Sequence, residues 1–151
     1  MIRPLILTLT MTGSTFASVA DDLRAFEGFR EHAYLDTTGH YTVGYGRRCE
    51  RGAKVSQIEA EDLLIIDINK ARMGAARVFT SYSSQPAHVQ DVLTELAYQL
   101  GERGAAKFVK FGKAIQLRDY ALASACLIDS KFHRQCKNRC ETLARKLTAH
   151  E

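Results

Sequence analysis

The sequence predicts a mostly helical α+β domain of two lobes: a first helix, a small β-hairpin region, a long connecting helix and a C-terminal helical bundle. Three observations carry this. β-prone runs are confined to residues 33–46, around the turn signal Asp36-Thr37-Thr38-Gly39. From Ser56 onward the apolar residues recur at helical spacing. The chain has 151 residues, 46% hydrophobic and 25% charged, with no internal repeat, which suits one packed domain and excludes a disordered or fibrous chain.

The elements follow in order. Asp21 or Asp22 can cap a helix running through Phe29, with Leu23, Phe26 and Phe29 on one side. Ala33-Tyr34-Leu35 and Tyr41-Thr42-Val43 read as short strands, and Gly44 and Gly46 allow sharp bends. Ser56-Gln57-Ile58-Glu59 is a capping box opening a helix to about Val78, roughly 33 Å long. A second helix starts near Pro86, carries Val89, Val92, Leu93, Leu96 and Leu100, and stops at Gly101. Gly104 and Gly112 bracket a short helix with Phe108 and Phe111. Two more are expected around Tyr120–Ile128 and Lys137–Ala149.

Residues 1–20 read as an export segment and 21–151 as the folded domain. Arg3 precedes an uncharged run, Pro4 to Ala20, ending in Ser18-Val19-Ala20 before two aspartates. A signal cleaved after Ala20 fits, as does a weak anchor released after export, because Thr and Ser residues dilute the run below a good membrane span. An amphipathic arm packed on the domain is the third reading. Export would favour disulfides among Cys49, Cys126, Cys136 and Cys140. Cys136 and Cys140 share a helix face, so a bridge including Cys126 is expected. The spacing of His133 and these cysteines is not that of zinc knuckles, and no metal or cofactor is expected. Charge is uneven: residues 1–100 sum to −2 and residues 101–151 to +6. The basic half fits an anionic partner or a solvated face.

The chemistry is concentrated early. Glu27 falls at the end of the first helix, Asp36 at the hairpin turn and Thr42 on the returning strand. A helix end and a hairpin can bring these to one cleft. Two carboxylates across a cleft can cleave a glycosidic bond, one protonated to donate and one ionised to activate water or attack. A hydroxyl between them can hold a water. The spacing Glu27, Asp36, Thr42, Gly44, Gly46 resembles the active-site stretch of bacteriophage T4-type lysozymes, the phage endolysin muramidases. Tyr98-Gln99-Leu100-Gly101-Glu102-Arg103-Gly104 is similar to a second stretch of that family, and Asn138-Arg139 to a pair on its late helix.

The resemblance spans about residues 21–149. It implies a bilobed lysozyme fold with peptidoglycan between the lobes. It makes Glu27 the general acid, Asp36 the base or stabiliser and Thr42 the water-positioning group. Arg139 would pair with the acid, and Gln99 would be a structural partner. Tyr98, Arg48, Phe111 and Phe132 would contact substrate. The sequence departs from the family at Arg47, where His is frequent, and at Phe132, where Trp is frequent. The leading reading is a monomeric, exported muramidase acting in the periplasm or outside the cell, with transient inner-membrane association through residues 1–20. The alternative is a catalytically silent wall-binding or virion protein of the same fold. A nucleic-acid-binding role lacks a motif.

Overall fold

The computed structural model describes residues 18–149, which form seven helices and one three-stranded antiparallel sheet. The first helix, α1, spans Val19–Glu27 and is capped by Ser18, whose hydroxyl accepts from the Asp21 amide at 3.3 Å while the Asp21 carboxylate reaches back to Ser18. It ends at Gly28. Both ends lie earlier in the chain than expected, because Ser18 with Asp21 makes a capping box where Asp21 or Asp22 was expected to cap. Of the expected export segment, residues 1–17 lie outside the described residues. Ser18, Val19 and Ala20 belong to the domain, with Val19 only 4% exposed.

Strands β1 (Arg30–Leu35), β2 (Tyr41–Gly44) and β3 (Arg47–Arg48) pair in chain order. Thr42 sits opposite Tyr34 on one side and Arg48 on the other. The third strand is two arginines and carries no alternation to betray it. Helix α2 (Gln57–Val78) opens with the expected capping box. Its Ala60, Leu64 and Ile68 join Val19, Leu23 and Tyr45 in a small core under the sheet, and its Ala75 reaches the larger core. One helix thus floors both lobes.

The larger core is built from α3 (Ala87–Ala105), α4 (Val109–Gln116), α5 (Tyr120–Ile128) and α7 (Lys137–Thr148), with α6 (Lys131–Gln135) alongside. Gly101 interrupts α3 with φ of 67°, so the expected stop is there, but the chain resumes a helical turn through Ala105. Helix α4 therefore begins after Phe108 rather than near Gly104, and it runs through Gly112. Gly112 lies inside the helix against the Phe79 ring and does not terminate it; a Cβ there would make an ordinary contact at 3.6 Å. The five-residue α6, capped by Ser130, is too short to show a period.

The four cysteines are free thiols. The expected bridge through Cys126 is corrected: Cys140 is buried in the core with its thiol donating to the Leu127 carbonyl at 3.2 Å, and Cys49 follows β3 in the other lobe. Burial pushes the Cys140 thiol up to about 11, which makes it unreactive. His133 faces Glu141 at 3.2 Å, and no cluster of metal-ligating side chains forms among the described residues.

A buried ionic triad ties three helices together. Lys146 of α7, 4% exposed at its side chain, meets Glu95 of α3 at 2.8 Å and Asp22 of α1. Glu95 is fully buried, and its Oε2 has no partner among the described residues. Lys146 is held charged by two carboxylates, although burial opposes this. Glu95 shares its one ammonium, so burial dominates and pushes its carboxyl from 4.5 up to about 7. The folded state then holds a proton that the unfolded state releases between these values. Stability from this group is full below pH 4.5 and declines as pH rises to about 7. We expect a fall on the order of 2–3 kcal/mol across that window in urea unfolding, abolished in Glu95→Gln.

Candidate functional site

Glu27 is the last residue of α1, so its carboxylate projects where the helix gives way to β1. Arg139 from α7, 7% exposed at its side chain, donates through Nη1 to Glu27 Oε1 at 2.8 Å. The same nitrogen donates to Gln99 Oε1 of α3. The guanidinium carbon lies 5.1 Å from the centre of the Phe26 ring, a cation–π contact that keeps Arg139 over the helix end. Arg139 Nε and Nη2 have no hydrogen-bond partner among the described residues. On the other side, a Cβ at Gly46 would stand 2.9 Å from Glu27 Oε2, and φ there is +79°. Only glycine allows the turn after β2 to close this near the carboxylate. Glu27 is thus confined between a fixed cation and bare backbone.

Asp36 follows β1 at the mouth of the hairpin. Its Oδ1 accepts from the Thr38 amide at 2.8 Å, the Thr38 hydroxyl at 2.8 Å and the His40 amide at 2.9 Å. The turn residues that make the hairpin therefore also orient the carboxylate. These bonds, led by the His40 amide, hold the Asp36 carboxyl below its usual range, so it is ionised at neutral pH. All three bonds go to Oδ1, and among the described residues Oδ2 takes no hydrogen bond.

Thr42 is 4% exposed, and its hydroxyl has no hydrogen-bond partner among the described residues. A buried hydroxyl without a partner costs on the order of 1–3 kcal/mol, and this oxygen is closed to solvent, so a water reaches it only when a neighbouring side chain moves aside. Cross-strand pairing puts Tyr34, Thr42 and Arg48 in one row on the same face, with Arg48 exposed.

The other expected contacts divide. Tyr98 is half-buried, and its hydroxyl donates to the Tyr45 carbonyl at 3.1 Å. Burial, then the nearby Glu27 charge, pushes its phenol up to about 12. It therefore stands beside the acid but is engaged in joining α3 to the sheet. Phe111 and Phe132 are corrected: at 1% and 4% exposure both are core residues, Phe111 edge-on to Phe79 and Phe108. Neither has surface to offer a sugar.

Several supports had no signal in the sequence. Arg47 pairs with Asp67 of α2 at 2.8 Å, pinning β3. Arg24 of α1 grips Glu61 of α2 at 2.7 Å, and Glu61 also accepts from Tyr45 at 2.6 Å. These partners lie far apart in the chain, and charged residues of either sign are common enough that no spacing singles them out.

The chain matches the family model described as Phage lysozyme over residues 24–149. The protein belongs to the phage lysozyme family, glycoside hydrolases that act on peptidoglycan.

Proposed function

We propose that this member of the phage lysozyme family is a muramidase. It hydrolyses the β-1,4 bond between N-acetylmuramic acid and N-acetylglucosamine with inversion at the anomeric carbon. The observation that carries the reading is Glu27, presented at the end of α1 and held by Arg139 at 2.8 Å, in a chain whose hairpin carries an ionised Asp36. Glu27 acts as the general acid, giving a carboxyl proton to the bridging oxygen as that oxygen leaves C1. Asp36 takes a proton from a water whose oxygen bonds to C1 from the opposite face. Thr42 holds that water through its hydroxyl. The charge on Asp36 also favours the oxocarbenium-like centre.

Turbidity loss on permeabilised Gram-negative cells tests the activity, and NMR of the first-formed anomer tests the chemistry. The α anomer is expected. A β product means retention and removes the water-holding role from Thr42, and a 1,6-anhydro product means a lytic transglycosylase. Binding to sacculi without turnover would favour the silent wall-binding alternative.

Export of a monomeric enzyme to the periplasm is part of this proposal, supported by Arg3 and the uncharged run after it. A cut after Ala20 would remove the Ser18 cap and the buried Val19. The proposed route therefore keeps these residues on the mature enzyme, and a mass of the periplasmic form beginning at Asp21 would contradict it.

A further inference from the structure

The basic charge of the C-terminal half has a focus. Between Arg103 and Arg118 the sequence has five cations and no acid. The flanking acids are engaged: Glu102 pairs with Arg77, and Asp119 caps α5 by accepting from the Leu122 amide at 2.9 Å. Helix α4 lies at the centre of this stretch. It buries Phe111, Ala114 and Ile115. At about 100° per residue, Gln116, Val109, Lys113, Leu117 and Lys110 follow one another around the opposite arc of α4 and the residue after it. All five are exposed, Val109 at 60% and Leu117 at 77%. Beside this arc, between α4 and the end of α2, is a groove of about 250 Å³ lined by Phe79, Phe108, Val109 and Lys113 among others.

We propose that this face of α4 docks on the surface of an anionic phospholipid bilayer. Lysines interleaved with exposed aliphatic side chains suit an interface in which apolar groups enter the acyl boundary. The ammonium groups then reach back to headgroup phosphates along their methylene stems. The groove offers an apolar wall beside a cation, which fits a lipid chain next to its charged head. A hydrophilic wall polymer would leave Val109 and Leu117 in water with nothing gained. Nucleic acid would find no aromatic ring on the arc to stack against. The proposal does not depend on the muramidase chemistry.

The test is co-sedimentation of the full chain with vesicles of phosphatidylglycerol and phosphatidylcholine, compared with phosphatidylcholine alone. Arg3 and the uncharged run Pro4–Ala20 are the same in every variant, so the change in the ratio of partition coefficients between variants reads the α4 face. A strong preference for anionic vesicles is expected, and high salt should weaken it. Each charge near such a surface changes partition about fivefold, so Lys110→Glu with Lys113→Glu should lower the ratio by about a hundredfold or more. Leu117→Asp should weaken binding to both vesicle types and lower the ratio by about fivefold.

Lys54→Glu with Lys70→Glu makes the same change in net charge elsewhere on the exposed surface and should cost far less. Equal melting midpoints would establish that the variants are folded; if one pair melts early, Lys110→Gln with Lys113→Gln against Lys54→Gln with Lys70→Gln gives the comparison at a matched change of two charges. Equal losses in the two pairs, or no preference in the wild type, would overturn the proposal. So would binding to purified sacculi, but not to vesicles, that disappears in the α4 variants.

Discussion

Glu27→Gln should lower the rate of peptidoglycan hydrolysis by about a hundredfold or more, because the amide cannot donate a proton to the leaving oxygen. It should leave the fold nearly untouched, since the amide oxygen can still accept from Arg139, which donates to Glu27 at 2.8 Å in the native site. Asp36→Asn should cost a similar factor, its three accepted bonds being available to an amide oxygen while the charge is lost. Thr42→Val separates function from folding most cleanly. The native hydroxyl is buried without a partner among the described residues, so an isosteric methyl relieves a cost that the native state carries. We expect unfolding in urea to show Thr42→Val equal to the wild type or more stable by about 1 kcal/mol. Turbidity assays should show activity reduced at least tenfold. A stable Thr42→Val with full activity would return the residue to a strand position chosen for β propensity. Full activity in Glu27→Gln would remove the enzyme assignment.

The elements legible in the sequence are those set by local rules. The capping box at Ser56 fixed the start of α2, and the apolar period fixed the length of α3 up to Gly101. Glu27, Asp36 and Thr42 were legible as candidates through the helix end, the turn and the strand that present them. What was not legible depended on contacts distant in the chain. Phe111 and Phe132 were expected at the substrate and are core, because an aromatic residue on a short helix does not reveal which side faces its neighbours. The capping role of Ser18 was hidden because the same small residues fit a signal cleavage site. The partner of Lys146 lies 124 residues away at Asp22, and nothing local marks either as buried.

Lys146→Met should be the most destabilising single change, on the order of 3–5 kcal/mol at slightly alkaline pH. The loss is electrostatic and not a matter of volume. Methionine fills most of the space of the lysine stem but leaves Glu95, fully buried, and Asp22 with no cation between them. Glu95 can escape by taking a proton, and its carboxyl is already pushed up to about 7. The destabilisation should therefore be smaller at pH 5, where Glu95 is neutral in both proteins, than at pH 8, where the variant must bury a charge or hold a proton against the solvent.

Adding Glu95→Leu to Lys146→Met should recover much of the loss, because replacing both buried ions by apolar groups avoids the unpaired charge. The same geometry links stability to the active site. Helix α1 carries Asp22 and Glu27, α3 carries Glu95 and Gln99, and α7 carries Lys146 and Arg139. The three helices thus meet in two polar layers, one buried and structural, the other holding the acid. Urea unfolding of the single and double variants at pH 5 and 8 decides the point. A loss under about 1 kcal/mol that is equal at both pH values would mean that the triad is no more than a surface-like ion pair.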